Sequence, residues 1–138
     1  MTSRTTLTIP KKLRTLFLIS VPLFMIHSIE EHWTEFFDVY PLFSAIGQLI
    51  GSSADVPFIV FSFLWWLLLL SASFLLLTGR FPCRLMFIPG IIYLYEFHHI
   101  IKAILAWDYY PGLITALGFP VIGYFFWKEF LRVLRPNA

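Results

Sequence analysis

Two stretches of this 138-residue chain carry imidazole and carboxylate groups at spacings that can do chemistry. The first is His27-Ser28-Ile29-Glu30-Glu31-His32, and the second is Glu96-Phe97-His98-His99, followed by Lys102. On a helix turning 100° per residue, Glu30 and Glu31 flank the direction of His27, so all three can face one point, while His32 points roughly the other way. Glu96 and His99 stand three residues apart and share a face above the small Ala103. Imidazole and carboxylate together can bind a transition metal, move protons as a general acid and base, or clamp two helices by hydrogen bonds.

The elements that must position these groups follow from composition. Of the residues, 59% are hydrophobic and only 13% charged, and the mean hydropathy is +0.79. A soluble domain carries about twice that charged fraction, and a short chain has little interior in which to hide so much apolar surface. The expected class is therefore all-α: a four-helix transmembrane bundle forming a single integral membrane domain over residues 1–138. Its spans are expected at about 13–36, 56–78, 85–107 and 111–131, each near the ~20 apolar residues that cross a bilayer. A short interfacial helix is expected over 42–50, closed by Gly51-Ser52-Ser53.

Charge placement gives the orientation. Arg4, Lys11, Lys12 and Arg14 precede the first span; Arg80 and Arg84 lie between the second and third; Lys128, Arg132 and Arg135 end the chain. The other two connections hold Asp38, Asp55 and Asp108. The positive-inside rule then places both termini in the cytoplasm, N-in and C-in, and the expected location is a bacterial inner membrane. No small-x-small cleavage site follows the first apolar run, so that run is expected to be a retained helix and not a signal peptide. A net charge of +2 gives no reason to expect a nucleic-acid partner, and Cys83, the only cysteine, is expected to be a small buried hydrophobe.

Depth brings the two polar stretches together. At 1.5 Å per residue, His27 lies about 22 Å from Lys12, and His99 about 22 Å from Arg84. Both basic residues mark the cytoplasmic side, so the two antiparallel groups fall at one level, toward the outer half of the bilayer. Ionisable groups at such depth cost roughly 2.5–3.5 kcal/mol each, so they are expected to face the bundle interior and find partners. The candidate metal ligands are His27, Glu31, Glu96, His99 and His98, for iron, manganese or zinc; helices two and four supply none, which favours one ion over two. The candidate acid/base groups are Glu30, Glu31 and His27.

Pro22, Pro89 and Pro120 fall inside the first, third and fourth spans, where each removes a backbone hydrogen bond and can kink its helix. Phe24 and Tyr95 can line an apolar pocket beside the polar groups, and Tyr109 and Tyr110 fit an outer aromatic belt with Trp33, Tyr40 and Trp107. An apolar lipid- or isoprenoid-like ligand suits such surroundings. The competing expectation is a non-catalytic subunit of a larger membrane complex, or a homo-oligomer, whose His/Glu cluster only fixes packing.

His27-Ser28-Ile29-Glu30-Glu31 in a first helix resembles the HXXEE family of small bacterial membrane proteins. The histidine of the third helix is similar to that family's histidine, and Tyr110-Pro111-Gly112-Leu113-Ile114-Thr115-Ala116 with the trailing Pro120 resembles its Y-x-P-G-L-x-T-A segment. Here Tyr110 adjoins Pro111 directly, and Tyr109 restores the family's spacing. The resemblance implies a helical membrane fold with a His/Glu site, and no settled activity.

Overall fold

A computed structural model describes residues 9–135. Among them there are helices and no strands. Helix α1 spans Lys11–Trp33, α2 Phe36–Val39, α3 Pro41–Ile50 and α4 Asp55–Leu77. A 3-10 turn at Cys83–Met86 leads into α5 at Phe87–Tyr95, followed by α6 at Phe97–Ala106, α7 at Leu113–Ala116 and α8 at Gly118–Leu134.

α1 is the central element, packed against α4, α7 and α8, while α5 lies on α8 and α6 on α7. Its buried face recurs at helical spacing as Leu13, Phe17, Ser20, Val21, Phe24, His27 and Ser28. Around it Tyr93, Ala116, Phe119, Phe126 and Phe130 complete one apolar core. Phe24 stacks on Tyr93 with centroids 5.7 Å apart and meets Phe119 at 4.6 Å. A smaller aromatic cluster of Phe36, Phe43 and Phe58 joins α2, α3 and α4 beneath the loop residue Tyr110.

Two helices, α1 and α4, are long and apolar enough to cross a membrane. α4 has a mean hydropathy of 2.3 over its most apolar stretch, of which only 11% is buried. The third and fourth expected spans are each divided. The third breaks at Glu96, where His99 N–H bonds Glu96 O in a tighter i→i+3 pattern. The fourth breaks between Ala116 and Gly118, because Pro120 has no N–H to offer the Ala116 carbonyl. Pro22 leaves α1 unbroken, and Pro89 and Pro120 sit in the first turns of their helices, where few intrahelical bonds are lost. The short helix expected over 42–50 is present as α3.

Two polar ties hold the ends and middle of this frame. Ser20 Oγ donates to Phe17 O at 2.7 Å, which leaves Tyr93 OH to donate to Ser20 Oγ, also at 2.7 Å and fully buried. At the far end, Lys12 Nζ contacts the buried Glu129 carboxylate at 2.6 Å, with Arg132 Nη1 beyond it at 3.4 Å.

Candidate functional site

α1 delivers His27 and Glu31 one turn apart, and the break at Glu96 turns Glu96 and His99 toward them. His27 Nε2 lies 3.0 Å from Glu96 Oε2 and 3.6 Å from Glu31 Oε1. His99 Nε2 lies 3.4 Å from each of the same two oxygens. One donor atom each from His27, Glu96 and His99 falls within 4.8 Å of the other two, and all three residues are buried. Four groups that the sequence placed at one depth thus meet around one point.

The other ring nitrogens are held by α7 and the loop that precedes it. His99 Nδ1 contacts the Pro111 carbonyl, which only accepts, so Nδ1 carries the proton. His27 Nδ1 lies 2.7 Å from Thr115 Oγ1. That hydroxyl has one proton, and the short contact to Glu30 Oε2 takes it; His27 Nδ1 is therefore also the donor. In its neutral form each imidazole consequently turns a bare Nε2 lone pair into the cluster. Each Nε2 is buried and makes no hydrogen bond.

Two bare imidazole nitrogens facing two carboxylates would be a set of acceptors without a donor, which either a bound cation or protonation of the rings resolves. A tetrahedral ion with ligands at about 2.0–2.2 Å keeps neighbouring ligand atoms roughly 3.3–3.6 Å apart. The contacts of 3.0, 3.4, 3.4 and 3.6 Å bracket that spacing. A divalent ion would also balance the two carboxylate charges. The group can hold a metal, and the nitrogen–oxygen donor set suits iron, manganese or zinc.

Glu30 and His98 were expected beside the others, and both stand apart. Glu30 turns to the loop, where its carboxylate accepts from Tyr109 OH at 2.6 Å, Ile114 N at 2.9 Å, Thr115 N at 2.8 Å and Thr115 Oγ1. With every lone-pair direction engaged, it caps α7 and has nothing left for the cluster. Adjacent residues on a helix diverge by 100°, which is why Glu31 reaches the histidines and Glu30 does not. His98 Nδ1 contacts Tyr95 O at 3.0 Å, and the ring packs between Tyr95 and Phe36. His99 is the histidine that enters the cluster. His32 is exposed and stacks on Phe58, and Lys102 is exposed with no ion pair among the described residues.

Thr115, Gly112 and the Pro111 carbonyl were not singled out as site residues by type or spacing. Thr115 reads from sequence as an ordinary helix hydroxyl; only the resemblance of the Tyr110–Ala116 segment marked it. Gly112 has φ +83°, and a Cβ there would stand 2.8 Å from His27 Cε1 and 2.9 Å from His99 Cε1. Tyr109, expected in an aromatic belt, is instead a partner of Glu30. Burial and its bond to Glu30 push the Tyr109 phenol up, and burial with the Glu31 charge does the same at Tyr110, so both remain proton donors. Phe24 is a core residue and Tyr95 is half exposed, so the two do not line a common pocket.

No curated protein and no solved structure matches the chain. A family model described as a protein of unknown function with HXXEE motif matches residues 18–126. That stretch contains the whole cluster and the loop that holds it, with His27, Glu30 and Glu31 supplying the motif; the chain belongs to the HXXEE family.

Proposed function

We propose that this is a four-pass integral membrane protein that binds one transition-metal ion at His27, Glu96 and His99, with Glu31 as fourth ligand or as an acid/base group beside the ion. The observation that carries the reading is the pair of buried Nε2 atoms, both without hydrogen-bond partners, both left bare by the bonds at Nδ1 and aimed at the same two carboxylates. Metal-binding histidines are commonly held in this way through the second ring nitrogen.

The membrane reading adds two interrupted spans to α1 and α4. Residues 87–106 would extend about 30 Å as helix and 113–134 about 33 Å, each matching a hydrocarbon core of about 30 Å. Ile88, Ile91, Ile104 and Leu105 on one, and Ile114, Leu117 and Val121 on the other, are exposed as lipid-facing residues would be. The break at Glu96 falls at a buried residue and the second lies between the buried Ala116 and Phe119, consistent with a bilayer tolerating breaks that border protein. The basic ends then fall on the cytoplasmic face, most simply of a bacterial inner membrane.

The chemistry we assign is metal-dependent action on an apolar, lipid- or isoprenoid-like molecule. An open groove of about 690 Å³ beside the loop is lined by Ile100, Ala103, Ile104, Trp107, Leu113 and Tyr109. Tyr109 also bonds Glu30, the residue that precedes the cluster's Glu31 on α1. The 3.0 Å approach of His27 to Glu96 favours a second reading, in which protonated imidazoles form a structural clamp within a subunit of a larger complex. That clamp needs both rings charged with their centroids only 4.7 Å apart, whereas a single divalent ion balances the carboxylates without that repulsion.

Plasma mass spectrometry of the detergent-purified protein, prepared without chelators, tests the assignment. Near-stoichiometric iron, manganese or zinc that disappears in a His27→Ala/His99→Ala variant is the expected result. Absence of metal from the unaltered protein would remove the ion and leave the clamp.

A further inference from the structure

The two adjacent carboxylates of the motif face different partners, and only one of them faces the cluster. Every hydrogen-bond partner of the Glu30 carboxylate is a donor: two backbone N–H groups, one phenol and one threonine hydroxyl. The segment from Tyr109 through Thr115, the loop and the first residues of α7, supplies all four of these groups. It also supplies the acceptors for both imidazoles, and Gly112 lies against both rings. α7 is a single turn of four residues, too short to hold its place by its own hydrogen bonds. The Glu30 carboxylate ties it to α1.

We infer that Glu30 is a positioning residue that acts through Thr115: it consumes the Thr115 hydroxyl proton, obliges His27 to donate from Nδ1, and so keeps His27 Nε2 bare for a ligand. The chain His27 Nδ1–H to Thr115 Oγ1–H to Glu30 Oε2 has one proton per link and one direction. Removing the threonine hydroxyl frees His27 to place its proton on Nε2, where Glu96 at 3.0 Å is the waiting acceptor. In that tautomer the ring cannot ligate an ion. His99 is insulated from this change, because its Nδ1 partner is a backbone carbonyl that no side-chain substitution removes.

The inference deepens the proposed metal site and rests on it for its consequence, but the tautomer itself can be read without metal. Nitrogen-15 NMR of histidine-labelled, metal-free protein in detergent should show His27 and His99 as Nδ1–H tautomers. In Thr115→Val, an isosteric loss of one hydroxyl, His27 should move toward Nε2–H while His99 stays as it was. Thr115→Ser should restore the original His27 signal. Zinc affinity, measured by chelator competition on the same three proteins, should fall about 10- to 100-fold in Thr115→Val and recover in Thr115→Ser. Glu30→Gln should resemble Thr115→Val, since its amide would oppose donors already present.

An unchanged His27 tautomer in folded Thr115→Val would overturn the inference. So would a Glu30→Gln protein that loses zinc while Thr115→Val keeps it, since Glu30 would then be a ligand. If no protein binds zinc but the His27 signal still switches, the positioning role stands and the metal assignment fails. Far-UV circular dichroism and the melting temperature of each variant separate a tautomer switch from misfolding.

Discussion

His27 and His99 meet edge to face across α1 and α6, their ring centroids 4.7 Å apart and their planes at 89°. Each commits Nδ1 to α7 or the loop before it and leaves Nε2 for Glu31 and Glu96. The neighbouring His98 shares neither feature, although its ring centroid is 3.9 Å from that of His99. The pair therefore predicts a sharp difference between two adjacent residues. His99→Ala should abolish metal retention, and His98→Ala should hold metal within about twofold of the unaltered protein, because only His99 offers a nitrogen to the cluster. Equal loss in both, with both proteins folded, would place the site elsewhere.

Gly112 presents a steric test that leaves every ligand intact. Its φ of +83° favours glycine, and a Cβ would come within 2.9 Å of both imidazoles. Backbone strain in the left-handed region costs about 1–2 kcal/mol for an alanine, and the rings must shift as well. Gly112→Ala should lower metal affinity at least about tenfold, in the range seen when supporting contacts of a metal site are lost, while the helix content by circular dichroism stays unchanged. Undiminished affinity would mean that the loop does not set the ring positions.

The helices and the meeting of four site residues were legible in the sequence because both depend on regular geometry. Rise per residue set His27 and His99 at one depth, and the 100° step put Glu31 with His27 and Glu96 with His99. The same step argument failed for Glu30, since it tells where a side chain starts and not which partner captures it. Thr115 and the Pro111 carbonyl act only after the loop folds back over α1, a relation no local pattern encodes. The division of the last two expected spans was hidden for different reasons. Proline marked the break after Ala116 three residues late, and the break at Glu96 has no proline or glycine to signal it.

The buried Ser20–Tyr93 bond predicts an asymmetry in stability. Ser20 donates to Phe17 O, so Tyr93 must be the donor between them. Tyr93→Phe removes that donor and leaves Ser20 with its own proton still placed, at a cost of about 0.5–1.5 kcal/mol. Ser20→Ala strands the Tyr93 hydroxyl in a fully buried position, at a cost of about 1–3 kcal/mol. Detergent-based unfolding should rank Ser20→Ala as the less stable of the two. The reverse order would show that a water or another acceptor serves Tyr93.

Arg80 and Asp108 bracket the segment that breaks at Glu96, and both are exposed. If residues 83–106 cross the bilayer despite the break, these two positions lie on opposite faces. In a Cys83→Ser background, a cysteine placed at Asp108 should react with a membrane-impermeant maleimide added to intact cells. One placed at Arg80 should react only after the cells are opened. Reaction of both from the same side would mean that the segment enters and returns, and the four-pass topology would give way to one with fewer crossings. The cluster would then lie in a re-entrant structure, because Glu96 and His99 sit near the middle of that segment. Crossing, by contrast, sets α1 and the α5–α6 segment antiparallel, the arrangement that brings all four side chains to one level of the bilayer.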